Sequence, residues 1–574
     1  MSSWPRRGWR RPSRCLAGRE PTDSGRRERG RPEFSPTGNT PFKQASSALR
    51  TLATMTMNRR LFLGTSARAG LVLPFARALP VLGQEQVFAH GVASGDPLAD
   101  RVLLWTRVSG SSDDRVAVRW QVARDPGMQE VVAEGEGTTG PGRDYTFKAT
   151  APGLQPGTTY HYRFEALGER SPVGRTKTLP RSTDHVRLAF VSCSNLPFGY
   201  FNVYRRIAER DDLDAVLHLG DYLYEYPNRG YGDGTRFGHA PRPDKEITTL
   251  SDYRTRHAQY KSDPDLQEVH RLHPFVCVWD DHEITNNAYT DGAQNHQIED
   301  EEGDWFVRRT AAVKAYFEWM PIREPEPWPS QRTYRTFRFG KLLDLIMLDT
   351  RLIGRSRQAE WGDVEGMRHP DRTLLGERQE RWLYGELAAA KAAGMRWPVL
   401  GQQVMMGPML DADGNPQNPD QWDGYEASRD RLFDFLESER IGNLVVLTGD
   451  VHQSWGMDVP RNPLAGYDPD TGAGSYGVDF VTTAVSSPSS KLRRLGTEEA
   501  IAAEVAEELA ANPHKKFGEA FHRGYCVLDL KPDRIQNDWY FVPTVEEKTG
   551  EQHWAAGIRV ASGTQHGVRA DGPA

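Results

Sequence analysis

The chain has 574 residues, 38% of them hydrophobic and 10% aromatic, enough for two to four domains with substantial cores. Its formal charge of −6 hides an asymmetry: residues 1 to 83 carry sixteen Arg and Lys against four Asp and Glu, so the remainder is about −18 by difference. A body that acidic argues against a nucleic-acid-binding module; no eighteen-residue apolar run predicts a transmembrane anchor, and four scattered cysteines make no disulfide framework.

Residues 1 to 56 are rich in Arg, Ser, Gly and Pro without periodicity, which predicts disorder or a segment upstream of a true start at Met55 or Met57. MNRRLFLG then sets Arg59-Arg60 ahead of Leu61, Phe62 and Leu63, and AGLVLPFARALPVLG follows. That order is the shape of a twin-arginine export signal over 57–84, with cleavage between Ala76 and Gln84. The expected partner is the twin-arginine export machinery, and the expected location is periplasmic or extracellular. Residues 87–180 read as all-β: RVLLWTRV and VAVRWQVA alternate, and LQPGTTYHYRF places a Pro-Gly turn before Tyr160, Tyr162 and Phe164. A small fibronectin type III-like sandwich is expected there.

From about 185 to 545 strands and helices alternate. Helices are expected in YFNVYRRIAER, DWFVRRTAAVKAYFEWM, GERQERWLYGELAAAKAAG and SRDRLFDFLESER, and strands in LLDLIMLDTR and WPVLGQQ. This pattern predicts an α/β catalytic domain with helices on both faces of its sheet. Loops at 227–250, 288–303 and 408–424 are expected to shape a pocket. GYCVLDLKPDRIQNDWYFV reads as a closing hairpin, and residues 546–574 as a C-terminal tail.

Four apolar runs in this region end in groups that can hold a metal. RLAFVS leads to Cys193, AVLHLG to Asp221 and Tyr224, FVCVW to Asp280-Asp281-His282-Glu283, and LVVLTG to Asp450 and His452. Buried strands of parallel sheets read as continuous apolar runs, and ligands gather at their carboxyl ends. Singly, each group has a plainer reading. Cys193 reads as a thiolate ligand or a buried structural thiol. Tyr224 reads as a phenolate that only a strongly polarising cation would ionise, or as a core aromatic. The Asp-Asp-His-Glu run reads as a cation site or a solvated turn, although carboxylates following a buried strand are costly without a cation. Asp450 and His452, two apart, project to one side of an extended segment, and Gly449 allows close backbone approach. Cys277 and Cys526 lie within strands and are expected in the core.

With FAHGVASGDP, VSCSN, HLGDYLYEY, VWDDHEITNNAY, LDTR, LTGDVHQSW and GYCVLDL in this order, residues 88 to 542 resemble the PhoD-type alkaline phosphatases. That family is related to the purple acid phosphatases and calcineurin-like metallophosphoesterases. The resemblance implies a metallophosphoesterase-like sandwich of mixed sheets flanked by helices, and a site holding Fe(III) and Ca2+. It would place Cys193, Asp221, Tyr224 and His452 around iron. Asp221 would bridge to calcium, and Asp450 with either Asp281 or Asn286 would complete the calcium site. Oxygen donors where relatives use imidazole suit a hard cation. The implied reaction is hydrolysis of phosphate mono- and diesters by a metal-activated hydroxide.

His282 would hydrogen-bond the phosphoryl group or protonate the leaving oxygen; the other reading has it orient Asp281 or Asp450. Arg351 would grip phosphate with its donor fork, or instead pair with Asp349 or a neighbouring helix. Arg355 and Arg357 are weaker phosphate candidates, and Gln402 and Gln403 end a strand near the site. The motifs fit a phosphodiesterase or phospholipase D on the same scaffold equally well. A non-catalytic exported binding protein is the reading that a complete ligand set argues against.

Overall fold

The computed structural model describes residues 86–300, 302–325, 331–411 and 413–574. The expected export signal and the segment before it lie outside these residues. The described residues form one compact unit.

Two mixed sheets, of ten and seven strands, form its centre. In the first, Ala215–His218 lies between Val186–Val191 and Pro274–Cys277 and runs parallel to both. In the second, Leu343–Met347, Trp397–Gly401, Leu444–Thr448 and Ser475–Val481 pair in parallel succession. The sheets pack face to face through Leu188, Phe190 and Leu217 against Leu345, Val399 and Val445. Their outer faces are covered by helices. Val203, Ile207, Tyr253 and Tyr316 pack on one side against Ala189, Val216 and Phe275. On the other, Leu383, Leu387, Leu432 and Phe433 pack against Ile346, Leu400 and Val446. Each central strand therefore buries both faces, which is why its sequence is apolar throughout. Cys277 and Cys526 are buried in these cores.

The expected helices form as Asn202–Ala208, Trp305–Trp319, Gly376–Ala392 and Glu426–Ser438. Asp304 starts the second by accepting from the backbone N–H of Phe306 and Val307. Among the described residues five further α-helices form that the sequence reading leaves out: Leu250–Tyr260, Pro264–Leu272, Val364–Met367, Ser490–Leu495 and Glu498–Ala511.

Two expectations about organisation need correction. The strands within 87–180 do face each other around Val118, Tyr160, Tyr162 and Phe164. One of their two sheets, however, is not a separate body. Val92–Gly95 pairs in parallel with Pro274–Cys277, so Val92–Gly95, Arg101–Arg107 and Thr146–Pro152 extend the ten-stranded sheet. Trp105 fastens the join, its indole N–H donating to the Glu318 carbonyl at 2.9 Å. Residues 546–574 are not a tail either. His553–Ala561 and Gly567–Arg569 add the last two strands beyond the closing hairpin. Ala556, Ile558 and Val560 alternate toward the core between the sheets.

Candidate metal centre and active site

The carboxyl ends of both parallel sets meet at one seam. Ser192, just past Val186–Val191, bridges in parallel to Ala484, just past Ser475–Val481. Contact this close needs a residue without a side chain opposite: a Cβ on Gly449 would lie 2.7 Å from Cβ of Ser192. At the seam the chain leaves each strand by a sharp turn. Cys193, Asp221, Asp450 and His452 all take positive φ, at 61°, 56°, 62° and 56°. Such conformations are uncommon outside glycine, cost about 1–3 kcal/mol each, and persist where surrounding structure imposes them.

The turns bring three overlapping sets of donors together. Cys193 with Asp221 and His452, Asp221 with Asp281 and His282, and Asp280 with Asp281 and Asp450 each place one ligand atom per residue within 4.8 Å of the others. Tyr224 joins the first set: its Oη lies 2.9 Å from Asp221 Oδ2 and 3.1 Å from His452 Nε2, and accepts from Ser487 Oγ at 2.8 Å. His452 Nδ1 lies 3.0 Å from the Pro488 carbonyl, which only accepts, so the proton sits on Nδ1 and Nε2 offers its lone pair. Asp280 Oδ2 and Asp281 Oδ1 are buried without a hydrogen-bond partner. Burial pushes the Asp221 carboxyl up to about 7 and Asp450 up to about 6, and it pushes the Cys193 thiol well above its ordinary value. These donors carry more anionic capacity than the surrounding protein satisfies, and a cation fits them.

Glu283 and Glu225 act differently from the donors around them. Glu283 turns away from the cluster and accepts from the backbone N–H of Asp221, Tyr222 and Asp280 at 2.7–3.1 Å, clasping two strand ends together. Glu225, unassigned in the sequence reading although it follows Tyr224, binds His282 Nδ1 at 2.7 Å and accepts from the Asn286 N–H at 2.8 Å. Burial opposes a charge on His282, but Glu225, Asp281 and Asp221 together outweigh it and raise its pKa well above the ordinary value.

Of the two readings of Arg351, the structure has it paired within the protein, with Asp280, Asp420 and Asp450 as the carboxylates. Its side chain is fully buried, and its guanidinium is spent on Asp280, on both oxygens of Asp420 at 2.8 and 3.0 Å, and on Asp450 at 2.6 Å. It faces carboxylates rather than a substrate, and its backbone N–H meets Asp349 Oδ1 at 2.9 Å. Arg355 is likewise committed to Asp420, and exposed Arg357 pairs with Glu360. Gln402 and Gln403 hold Trp422 and Thr350 rather than facing the cavity. Asp420 had no signal in its loop sequence. Of the two candidates after the third strand, Asp281 stands within the donor sets, whereas Asn286 lines the cavity with its amide donating to Gln294 at 2.9 Å.

The donors open into a cavity of about 370 Å³. The loop 227–250 supplies Tyr231 to its wall and the loop 408–424 supplies Asn418 and Gln421; Trp361 and Arg493 complete the rim. Gly220 fixes the nearer end. Its φ is 109°, and a Cβ there would lie 2.3 Å from Cβ of Asp280. Gly220→Ala is expected to destabilise the protein by ~2–4 kcal/mol through strain and overpacking, read by urea denaturation; a loss within ~0.5 kcal/mol, ordinary for a surface change, would contradict this account of the seam.

An α/β sandwich whose strand ends empty a thiol, a phenol, imidazoles and carboxylates into one cavity has the architecture of a hydrolytic enzyme. Residues 188–539 match the profile of the PhoD-like phosphatase family, and residues 76–180 match that of the PhoD-like phosphatase N-terminal domain. The chain is 36% identical over 521 residues to alkaline phosphatase D of Bacillus subtilis (strain 168), covering 86% of this chain and 85% of that one. It superposes on a solved structure of PhoD with a TM-score of 0.76 at 34% identity, covering 85% of this chain and 92% of that chain. The chain therefore belongs to the PhoD-like phosphatase family and is a phosphoric ester hydrolase.

Proposed function

We propose that the protein is an exported, metal-dependent phosphatase that hydrolyses phosphate mono- and diesters at alkaline pH. The observation that carries the metal dependence is the set of three donor groups sharing Asp221 and Asp281, with buried carboxylate oxygens that no protein donor satisfies. Cys193, Asp221, Tyr224 and His452 would hold Fe(III), since a thiol and a phenol ionise there only against a strongly polarising cation. Asp221, Asp281 and Asp450 would hold Ca2+, an oxygen-seeking ion, and Asn286 in the cavity wall offers a further oxygen. Bound there, the ions would lower the pKa of a water and offset charge on the phosphoryl group.

The chain's own residues orient and protect this chemistry. The Pro488 carbonyl and Ser487 hold His452 and Tyr224 in place. Glu225 keeps a proton on Nδ1 of His282, so the protonated ring presents Nε2 to the cavity as a donor for a phosphoryl or leaving oxygen. Burial of Cys193, Asp221 and Asp281 keeps bulk water from these groups. Export rests on the Arg59-Arg60 signal, and export of a folded chain suits metal loading beforehand.

The test is metal analysis and spectroscopy on natively exported protein. Fe(III) bound by a phenol and a thiol should give a visible absorption band, and Tyr224→Phe should shift or bleach it. An unchanged band would remove Tyr224 from the iron site. Protein without iron that leaves phosphate esters intact in the presence of calcium would end the proposal.

A further inference from the structure

A second cavity, of about 500 Å³, stands against the first. Phe198, Pro488, Leu492 and Phe521 give it apolar walls, with Arg493 and Arg523 among them. Residues that line the second cavity touch residues that line the first. Phe198 meets Tyr231 edge to face at 5.0 Å, and Pro488 is the residue whose carbonyl holds His452. Arg493 lines both spaces.

Arg493 is also a permanent cation on the rim of the first cavity, beside the protonated His282. With Arg351 and Arg355 consumed by carboxylates, it is the only Arg or Lys lining that cavity among the described residues. Its guanidinium lies 4.9 Å from the Tyr231 ring centre and makes no ion pair among the described residues. A planar fork that is already positioned by an aromatic face, exposed and unpaired, is free to take an anionic oxygen.

We propose that Arg493 binds a non-bridging oxygen of the phosphoryl group, and that the organic substituent of the ester lies in the cavity behind it. Arg493 is then a substrate-binding residue, and the walls formed by Phe198, Leu492 and Phe521 select for apolar, aryl-sized alcohols. This places selectivity on the segments around 490 and 543, apart from the loops 227–250 and 408–424. It rests on the ester-hydrolase reading only for the identity of the ligand.

Binding tests it without turnover. Calorimetry on the metal-loaded protein would compare inorganic phosphate, methylphosphonate and phenylphosphonate. Arg493→Ala, at an exposed position without hydrogen bonds from its guanidinium, is expected to weaken inorganic phosphate by about tenfold, the scale of a charge-assisted hydrogen bond, with Arg493→Lys recovering part. Pro543→Trp, which fills the second cavity from its exposed rim, is expected to reduce the preference for phenyl- over methylphosphonate by about tenfold. Thr544→Tyr from the same rim is a second filling variant. Unchanged phosphate affinity in Arg493→Ala, or equal effects of the filling variants on both phosphonates, would overturn the proposal. Hydrolysis of phenyl phosphate by the unaltered protein is the separate measurement on which the hydrolase reading stands.

Discussion

Replacing Arg351 with methionine is expected to cost about 3–5 kcal/mol of stability, the scale seen when one partner of a buried ion pair is removed. The guanidinium touches Asp280, Asp420 and Asp450 and has no solvent to share them with. Asp280 follows a strand of the ten-stranded sheet, Asp450 follows one of the seven-stranded sheet, and Asp420 sits on the loop between Trp397–Gly401 and Glu426–Ser438. Methionine would leave three carboxylates facing one another across the seam, and the seam would open. Arg351→Lys should recover only part of the loss, because a single ammonium cannot reproduce a fork that serves three carboxylates. Urea denaturation of the metal-free protein reads both. A methionine variant as stable as the unaltered protein would show that the carboxylates do not depend on this arginine.

The second large effect is on metal affinity as pH changes. In the metal-free protein Asp221 and Asp450 have carboxyl groups raised to about 7 and about 6, chiefly by burial. A folded carboxyl with a raised pKa holds its proton above the unfolded value near ~3.9, and a cation must displace that proton to use the oxygen. His452 runs the other way: burial lowers it to about 4, so above that pH it is already neutral and releases nothing. The sign is therefore fixed. Affinity rises with pH, by about tenfold per pH unit for each proton displaced, and levels off above about 7 once Asp221 is ionised. Calcium binding should release protons at pH 6 and few at pH 8. Calorimetry in buffers of different ionisation enthalpy measures this, and an affinity constant from pH 5.5 to 8 would exclude Asp221 and Asp450 as ligands.

The two sides of the seam differ in how plainly their sequence shows them. Four strand ends were visible because strands buried on both faces read as unbroken apolar runs, and the polar residues that follow them stand out. Glu225 was hidden in plain sight: within HLGDYLYEY it looks like an ordinary acid beside two tyrosines, and only its contact with His282 gives it a task. Arg351 was ambiguous for the opposite reason. An arginine after a strand in a phosphatase-like sequence suggests phosphate, but three carboxylates from distant segments reach it first. Asp420, 69 residues further along the chain, carried no local signal.

Strand identity, the alternation with helices and the residue types at the strand ends are local consequences of periodicity, and the sequence by itself determined them. The number of bodies was not local. The Val92–Gly95 strand is four residues long, and only its pairing with Pro274–Cys277 joins one sheet of the expected sandwich to the central sheet. Charge allocation was not local either. Whether an arginine meets substrate or a carboxylate depends on which side chains desolvate together, and that is decided when the two sheets close on Ser192 and Gly449. Tertiary structure thus spent Arg351 within the protein and left Arg493 facing the cavity.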